Sequence, residues 1–166
     1  MTNVLINIII VLVIASLSIL VIYLANKARQ EKLDKMSFKE AMDLCNLPVV
    51  TFVNNGKKLN FILDTGAETS VINKSTLEAL EYTKTNKTIE LYGIEGNTQT
   101  VDVINVSIDY KCKSYVEEFQ VVNLTPIFDK IKSQHGVTLH GILSSAFFKK
   151  YKYILDFNEL IAYSKL

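Results

Sequence analysis

Phe61-Ile62-Leu63-Asp64-Thr65-Gly66-Ala67-Glu68-Thr69-Ser70-Val71-Ile72 sets a single Asp in a tight turn between two very apolar segments. A carboxylate at the end of so apolar a strand is expensive to bury unless it has a partner. An Asp in an ordinary exposed turn has no need of such flanks. The partner that suits this geometry is a second carboxylate. Two carboxylates about 3 Å apart cannot both ionise and therefore share one proton. The charged member can act as general base on a water lodged between them, while the protonated member hydrogen-bonds a carbonyl whose oxyanion is developing. Because the two titrate as a unit, the acid and base roles are interchangeable. One chain offers one such turn, so the pair has to come from two chains. Gly66 would let backbone approach closely, and the Thr65 hydroxyl would bridge the two loops.

On either side of this turn the chain reads as short strands punctuated by turns. Residues 47–53 are β-branched and apolar, Asn54-Asn55-Gly56 is a hairpin turn, and residues 59–63 form the returning strand. Ser70-Val71-Ile72 is a further strand, after which Ser75 caps a short helix with Glu78 as its capping-box partner. Residues 89–92 and 98–104 flank Gly93-Ile94-Glu95-Gly96-Asn97, a tip suited to a long hairpin, and residues 106–110 pair with 115–122. Ile127, Phe128 and Ile131 fit a helix that ends at Gly136 in a left-handed cap. Residues 139–143 read as an apolar turn, 144–151 as a brief helix, and 153–156 with 160–163 as a last hairpin.

Two of these segments in this order carry a resemblance. Leu63-Asp64-Thr65-Gly66-Ala67-Glu68-Thr69-Ser70-Val71 resembles the active-site motif of the retropepsins, the single-domain aspartic proteases of retroviruses and their cellular and bacterial relatives. Further on, Leu139-His140-Gly141-Ile142-Leu143, with Phe147-Phe148-Lys149-Lys150-Tyr151 and Ile154-Leu155-Asp156-Phe157, is similar to that family's second signature. Tyr92-Gly93-Ile94-Glu95-Gly96 sits where the family carries its flap. The resemblance implies a mostly β, closed single-domain barrel of the acid-protease fold with short helices, spanning 47–166. It also implies a symmetric homodimer with Asp64, Thr65 and Gly66 as the catalytic residues at the dyad. Gly93, Ile94, Glu95 and Gly96 would close over a peptide or protein substrate, with no metal and no organic cofactor. The activity implied is that of an aspartic endopeptidase, and the alternative is a peptide-binding module of the same fold with little or no catalysis. Two departures stand out: His140 occupies a position that is usually apolar, and residues 124–135 form a helix-like insertion.

Residues 4–24, VLINIIIVLVIASLSILVIYL, carry no charge. As a helix of about 21 residues at roughly 1.5 Å each, the segment matches a hydrocarbon core near 30 Å. It is too long for a signal peptide, and no Lys or Arg precedes it. The expected organisation is a transmembrane anchor over 1–25, a charged helical stalk or linker over 26–46, and the folded domain from 47. Lys27, Arg29, Lys32 and Lys35 follow the span, so the positive-inside rule puts the C-terminal domain in the cytosol. Four sequons, at Asn73, Asn86, Asn105 and Asn123, would matter only in a eukaryotic lumen.

A net charge of +1 over 166 residues gives no basic excess that would suggest nucleic acid. Cys45 and Cys112 read as two reduced thiols, and neither they nor His135 and His140 sit in a metal-binding spacing. His135, next to Gly136, reads as a helix C-terminal residue favoured by the dipole, and His140 as a turn residue. Ser70, Ser144 and Ser145 lack the context of a nucleophile elbow. Phe147, Phe148, Tyr151, Tyr153 and Phe157 read as core and interface.

Overall fold

Asn55 and Gly56 both take positive φ, 45° and 78°, and so form the two-residue turn whose twist matches that of the strands it joins. Those strands are β1 (Val49–Asn54) and β2 (Lys57–Leu63), paired antiparallel from Val49↔Ile62 to Asn54↔Lys57. The computed structural model describes residues 2–33, 36–92 and 98–165. It divides into two compact units, Met1–Leu33 and Asp34–Leu166.

In the second unit, β2 pairs in parallel with β7 (Gly141–Leu143), and β7 pairs antiparallel with β3 (Val71–Asn73). β3 runs parallel to β6 (Lys113–Val122), which pairs antiparallel with β5 (Thr98–Tyr110), and β5 returns to β1 at Val53↔Asp109. The six strands β1, β2, β7, β3, β6 and β5 thus close into a barrel, with β4 (Thr83–Tyr92) added outside β5. The expected closed, mostly β barrel is what the chain forms. β8 (Tyr153–Asp156) and β9 (Ile161–Ser164) make a separate hairpin.

Phe52, fully buried, sits at the centre of the core with its ring against Phe61, Tyr110, Tyr115, Phe147 and Tyr153. These rings meet mostly edge-on or tilted, the arrangement that aromatic quadrupoles favour. Phe147, Phe148 and Tyr153 are buried in the core, and Phe157 is 57% exposed.

Three local expectations differ from what the chain does. The sequence predicts a turn over residues 139–143, whereas Gly141–Leu143 form a strand; three residues that begin with a glycine are too few to show an alternation. Ser75 caps nothing: Lys74–Ala79 is a 3-10 helix without a side-chain cap, and the Ser75 hydroxyl accepts from Asn73 Nδ2 at 2.8 Å. Asn73 is 4% exposed, and its Oδ1 also accepts from the Leu124 N–H and the Thr125 hydroxyl, so it ties distant segments together. Finally, the segment expected as a stalk contains α2 (Phe38–Cys45), which packs into the core through Phe38, Ala41 and Cys45. α2 starts at a capping box between Ser37 and Glu40. Just ahead of it, the Met36 carbonyl accepts from Thr51 N–H at 2.9 Å, and its own N–H donates to Thr51 Oγ1.

The helix expected around the insertion is α3 (Thr125–His135), closed by Gly136 at φ 74°. The brief helix after β7 is α4 (Ser145–Lys150).

The first unit is one helix, α1 (Thr2–Leu33), which includes the whole 4–24 stretch. Along it Val11, Ile14, Leu17, Val21 and Leu24 are all more than half exposed, while Ser16 and Ser18 satisfy their hydroxyls on the carbonyls of Val13 and Ile14. Among the described residues no helix is long and apolar enough to cross a membrane.

Candidate active site

β2 delivers Asp64 to the barrel surface, half-buried, immediately after the fully buried Leu63. Its backbone N–H donates to the Leu143 carbonyl at 2.9 Å, and its Oδ1 accepts the Gly66 N–H at 2.8 Å. A Cβ at Gly66 would lie 3.3 Å from that same Oδ1, so the glycine keeps space beside the carboxylate. Thr65 and Gly66 are exposed. The three residues singled out from the sequence thus form one turn with its carboxylate accessible.

The turn is clamped to the segment that opens α4. The Ala67 carbonyl accepts both the backbone N–H and the hydroxyl of Ser145, at 2.9 and 2.8 Å. Gly141 makes this approach possible: a Cβ there would meet the Val71 carbonyl at 2.5 Å and the Phe61 ring at 2.8 Å. Only hydrogen fits between β2 and β3 at that point.

Behind the turn lies a polar cluster that the sequence reading missed. Ser70 and Ser144, almost wholly buried, bring their hydroxyl oxygens within 3.2 Å, and the Ser144 N–H points at Ser70 Oγ at 3.2 Å. The Ser70 hydroxyl donates to Glu117 Oε1 at 2.9 Å. Glu117 is 6% exposed and projects from β6 in phase with Tyr115, Phe119 and Val121. Lys150, on α4, brings Nζ to 3.4 Å from Glu117 Oε2. Burial pushes the Glu117 carboxyl above its usual range; Ser70 and Lys150 oppose this without cancelling it. The lysine is half-exposed, and an ion pair open to water is weak. A Glu in phase with the inward-facing apolar residues of a strand was the available signal. It could not be read without knowing which face of β6 points in.

His140 is not simply a turn residue. Its Nδ1 accepts the Asn60 N–H at 2.9 Å, while its N–H donates to the Asn60 carbonyl and its carbonyl accepts the Asn73 N–H. The imidazole stands in for a backbone acceptor, which accounts for a polar residue at that position. His135 ends α3 as expected. Cys45 is buried and Cys112 exposed, with no bridge between them. Among the described residues no group of three or more His, Cys, Asp or Glu could hold a metal ion. The flap residues Gly93, Ile94, Glu95 and Gly96 lie outside the described residues; β4 and β5, which lead to and from them, pair from Thr83↔Asn105 to Tyr92↔Thr98.

Compared with known proteins, residues 49–147, more than half of the chain, match the family model described as aspartyl protease. Among solved structures the fold is similar to the retroviral protease-like domain of Ddi1 from Leishmania major, at 14% identity and a TM-score of 0.54, covering 72% of this chain and 88% of that one. The protease of EIAV complexed with the inhibitor HBY-793 is similar at 20% identity and a TM-score of 0.42, covering 63% and 86%. No curated protein matches the sequence.

Proposed function

This chain belongs to the aspartyl protease family, and from that premise we propose that it is a membrane-tethered endopeptidase in which Asp64 and the Asp64 of a second copy activate one water. The observation that carries this reading is the Asp64 turn itself. The carboxylate is held by the Gly66 N–H, its backbone is fixed to Leu143, and Thr65 and Gly66 lie exposed beside it, where a partner's turn can meet them.

The two carboxylates share a proton because like charges at hydrogen-bond distance cannot both ionise. The ionised member takes a proton from the water as its oxygen attacks the scissile carbonyl carbon. The protonated member donates to the carbonyl oxygen, so negative charge develops against a hydrogen bond already in place. Collapse of the tetrahedral species with a proton delivered to the amide nitrogen breaks the C–N bond and releases two peptides. Thr65 and Gly66 position the pair, and Gly93, Ile94, Glu95 and Gly96 cover the bound peptide. No metal or organic cofactor takes part in these steps.

The uncharged apolar run over 4–24 is what supports a single-pass membrane anchor, and the exposed aliphatic surface of α1 would suit a lipid surround. The basic residues after it favour a cytosolic barrel. The decisive experiment compares full-length chain with Asp64→Asn, each in lipid nanodiscs, on an unstructured protein substrate. Cleavage by the first and none by the second, with both folded, supports the reading. Equal cleavage by the two removes Asp64 from the chemistry. Peptide binding without cleavage by either would identify a binding module.

A further inference from the structure

Glu117 is a buried acid that the proposed chemistry does not use. It occupies an inward position of a barrel strand where its neighbours in phase are Tyr115, Phe119 and Val121. A carboxylate is costly in such a place unless it is paired and hydrogen-bonded. Its partners show where it acts. Through Ser70 and Ser144 it reaches both segments of the active-site clamp: Ser70 ends the Asp64 turn, and Ser144 lies between Leu143, which accepts the Asp64 N–H, and Ser145, which donates to Ala67.

The direction of these hydrogen bonds depends on charge. An ionised Glu117 can only accept. Ser70 must then donate to it, which leaves the Ser70 oxygen to accept both the N–H and the hydroxyl of Ser144. A protonated or amide side chain at 117 can donate instead. The Ser70 hydroxyl is then free to turn towards Ser144, and the two arrangements compete.

We infer that Glu117 is a positioning residue: in its ionised form, with Lys150 as counter-ion, it fixes the donor direction of the Ser70–Ser144 pair and so holds the Asp64 turn against the segment that opens α4. This rests on the reading of Asp64 as the catalytic carboxylate. Lys150 from α4 is the cation at its carboxylate, and Glu118, next along β6 and itself paired with Lys87, is the other charge acting on it. Ser70 and Ser144, from the other two segments packed on it, bring hydroxyls and no charge. Burial raises the Glu117 carboxyl, so its charge is lost at a higher pH than that of a free glutamate.

Glu117→Gln keeps the shape and removes the charge. In full-length chain in nanodiscs it should lower kcat roughly tenfold at neutral pH with KM nearly unchanged, because the loss is one of alignment rather than of substrate contacts. The gap should close as the pH falls and the parent enzyme's own Glu117 becomes protonated. Hydrogen exchange read by mass spectrometry should quicken over 64–70 and 143–145 and nowhere else, the most protected barrel amides exchanging no faster than in the parent. Lys150→Met, a change on an exposed side chain, should move the acid limb of the parent pH profile upward. The inference is overturned if the Gln variant matches the parent in kcat, pH profile and loop exchange, or if the acid limb ignores Lys150. Retained cleavage by Asp64→Asn would instead overturn the reading of the active site, and the exchange comparison would still decide the role of Glu117.

Discussion

The backbone N–H of Asp64 donates to the carbonyl of Leu143 at 2.9 Å, so the turn that holds the acid hangs from β7, a strand adjacent to β2 in the barrel but distant from it in sequence. Ser145 repeats the connection on Ala67, 78 positions away in sequence. Neither signature segment can keep its geometry without the other.

Gly141→Ala should destabilise the barrel by about 3 kcal/mol, at the upper end for forcing a methyl group into a packed core. The added Cβ would meet backbone, the Val71 carbonyl at 2.5 Å, and backbone cannot rotate away as a side chain can. Urea denaturation of the 34–166 unit measures it; a loss under about 0.5 kcal/mol, the range of an innocuous surface change, would mean that β2 and β3 can separate at no cost.

Tyr153→Phe should have the opposite sign. The Tyr153 hydroxyl is buried with no hydrogen-bond partner among the described residues, and burial pushes its pKa strongly up. Removing an unsatisfied buried polar group while keeping the ring should stabilise by about 1 kcal/mol, or a few degrees in Tm for a domain of this size. A lower Tm would reveal a partner for that hydroxyl.

The stability of the 34–166 unit should depend on pH through Glu117. Its carboxyl is raised above the ordinary 4.5 by burial, so the folded state binds this proton more tightly than the unfolded chain does. The corresponding stability is fully present below about 4.5 and is lost as pH rises through the raised folded value. Glu117→Gln should therefore flatten that part of the stability curve and be the more stable protein at neutral pH, although it is the slower enzyme. Superimposable curves for parent and variant would contradict the burial cost assigned to Glu117.

Activity of the diluted 34–166 unit should rise with the square of its concentration, because a site made from two chains follows mass action below the dissociation constant. Retaining α1 should make it nearly linear, since confinement to a surface raises effective concentration without new contacts. Ile161 and Tyr163 on β9 stay exposed while Ala162 between them is buried, which leaves an apolar face for a partner. Replacing both by Lys should abolish cleavage yet leave the monomer folded by circular dichroism. A strictly linear dilution series would argue against a shared site.

A reporter fused after Leu166 should resist protease added outside intact cells, as expected if Lys27, Arg29, Lys32 and Lys35 hold the C-terminal side in the cytosol. Digestion of the reporter would reverse the topology.

What depends on neighbours along the chain is legible without the fold. The Asn55-Gly56 turn, the Gly136 cap and the strand alternations follow from local φ preferences and side-chain period, and the acidic turn announces itself because its apolar flanks are contiguous with it. What depends on closing the barrel is not legible that way. Residues 139–143 become a strand only because β2 and β3 sit on either side of Gly141. α2 joins the core only because the barrel leaves an apolar surface for Phe38, Ala41 and Cys45. Glu117, unremarkable in a strand with several charges, faces Ser70 and Ser144 only once β6 has been fixed in register beside β3 at Val71↔Gln120. A one-residue slip of that register would turn Glu117 to solvent, and nothing local to β6 fixes it.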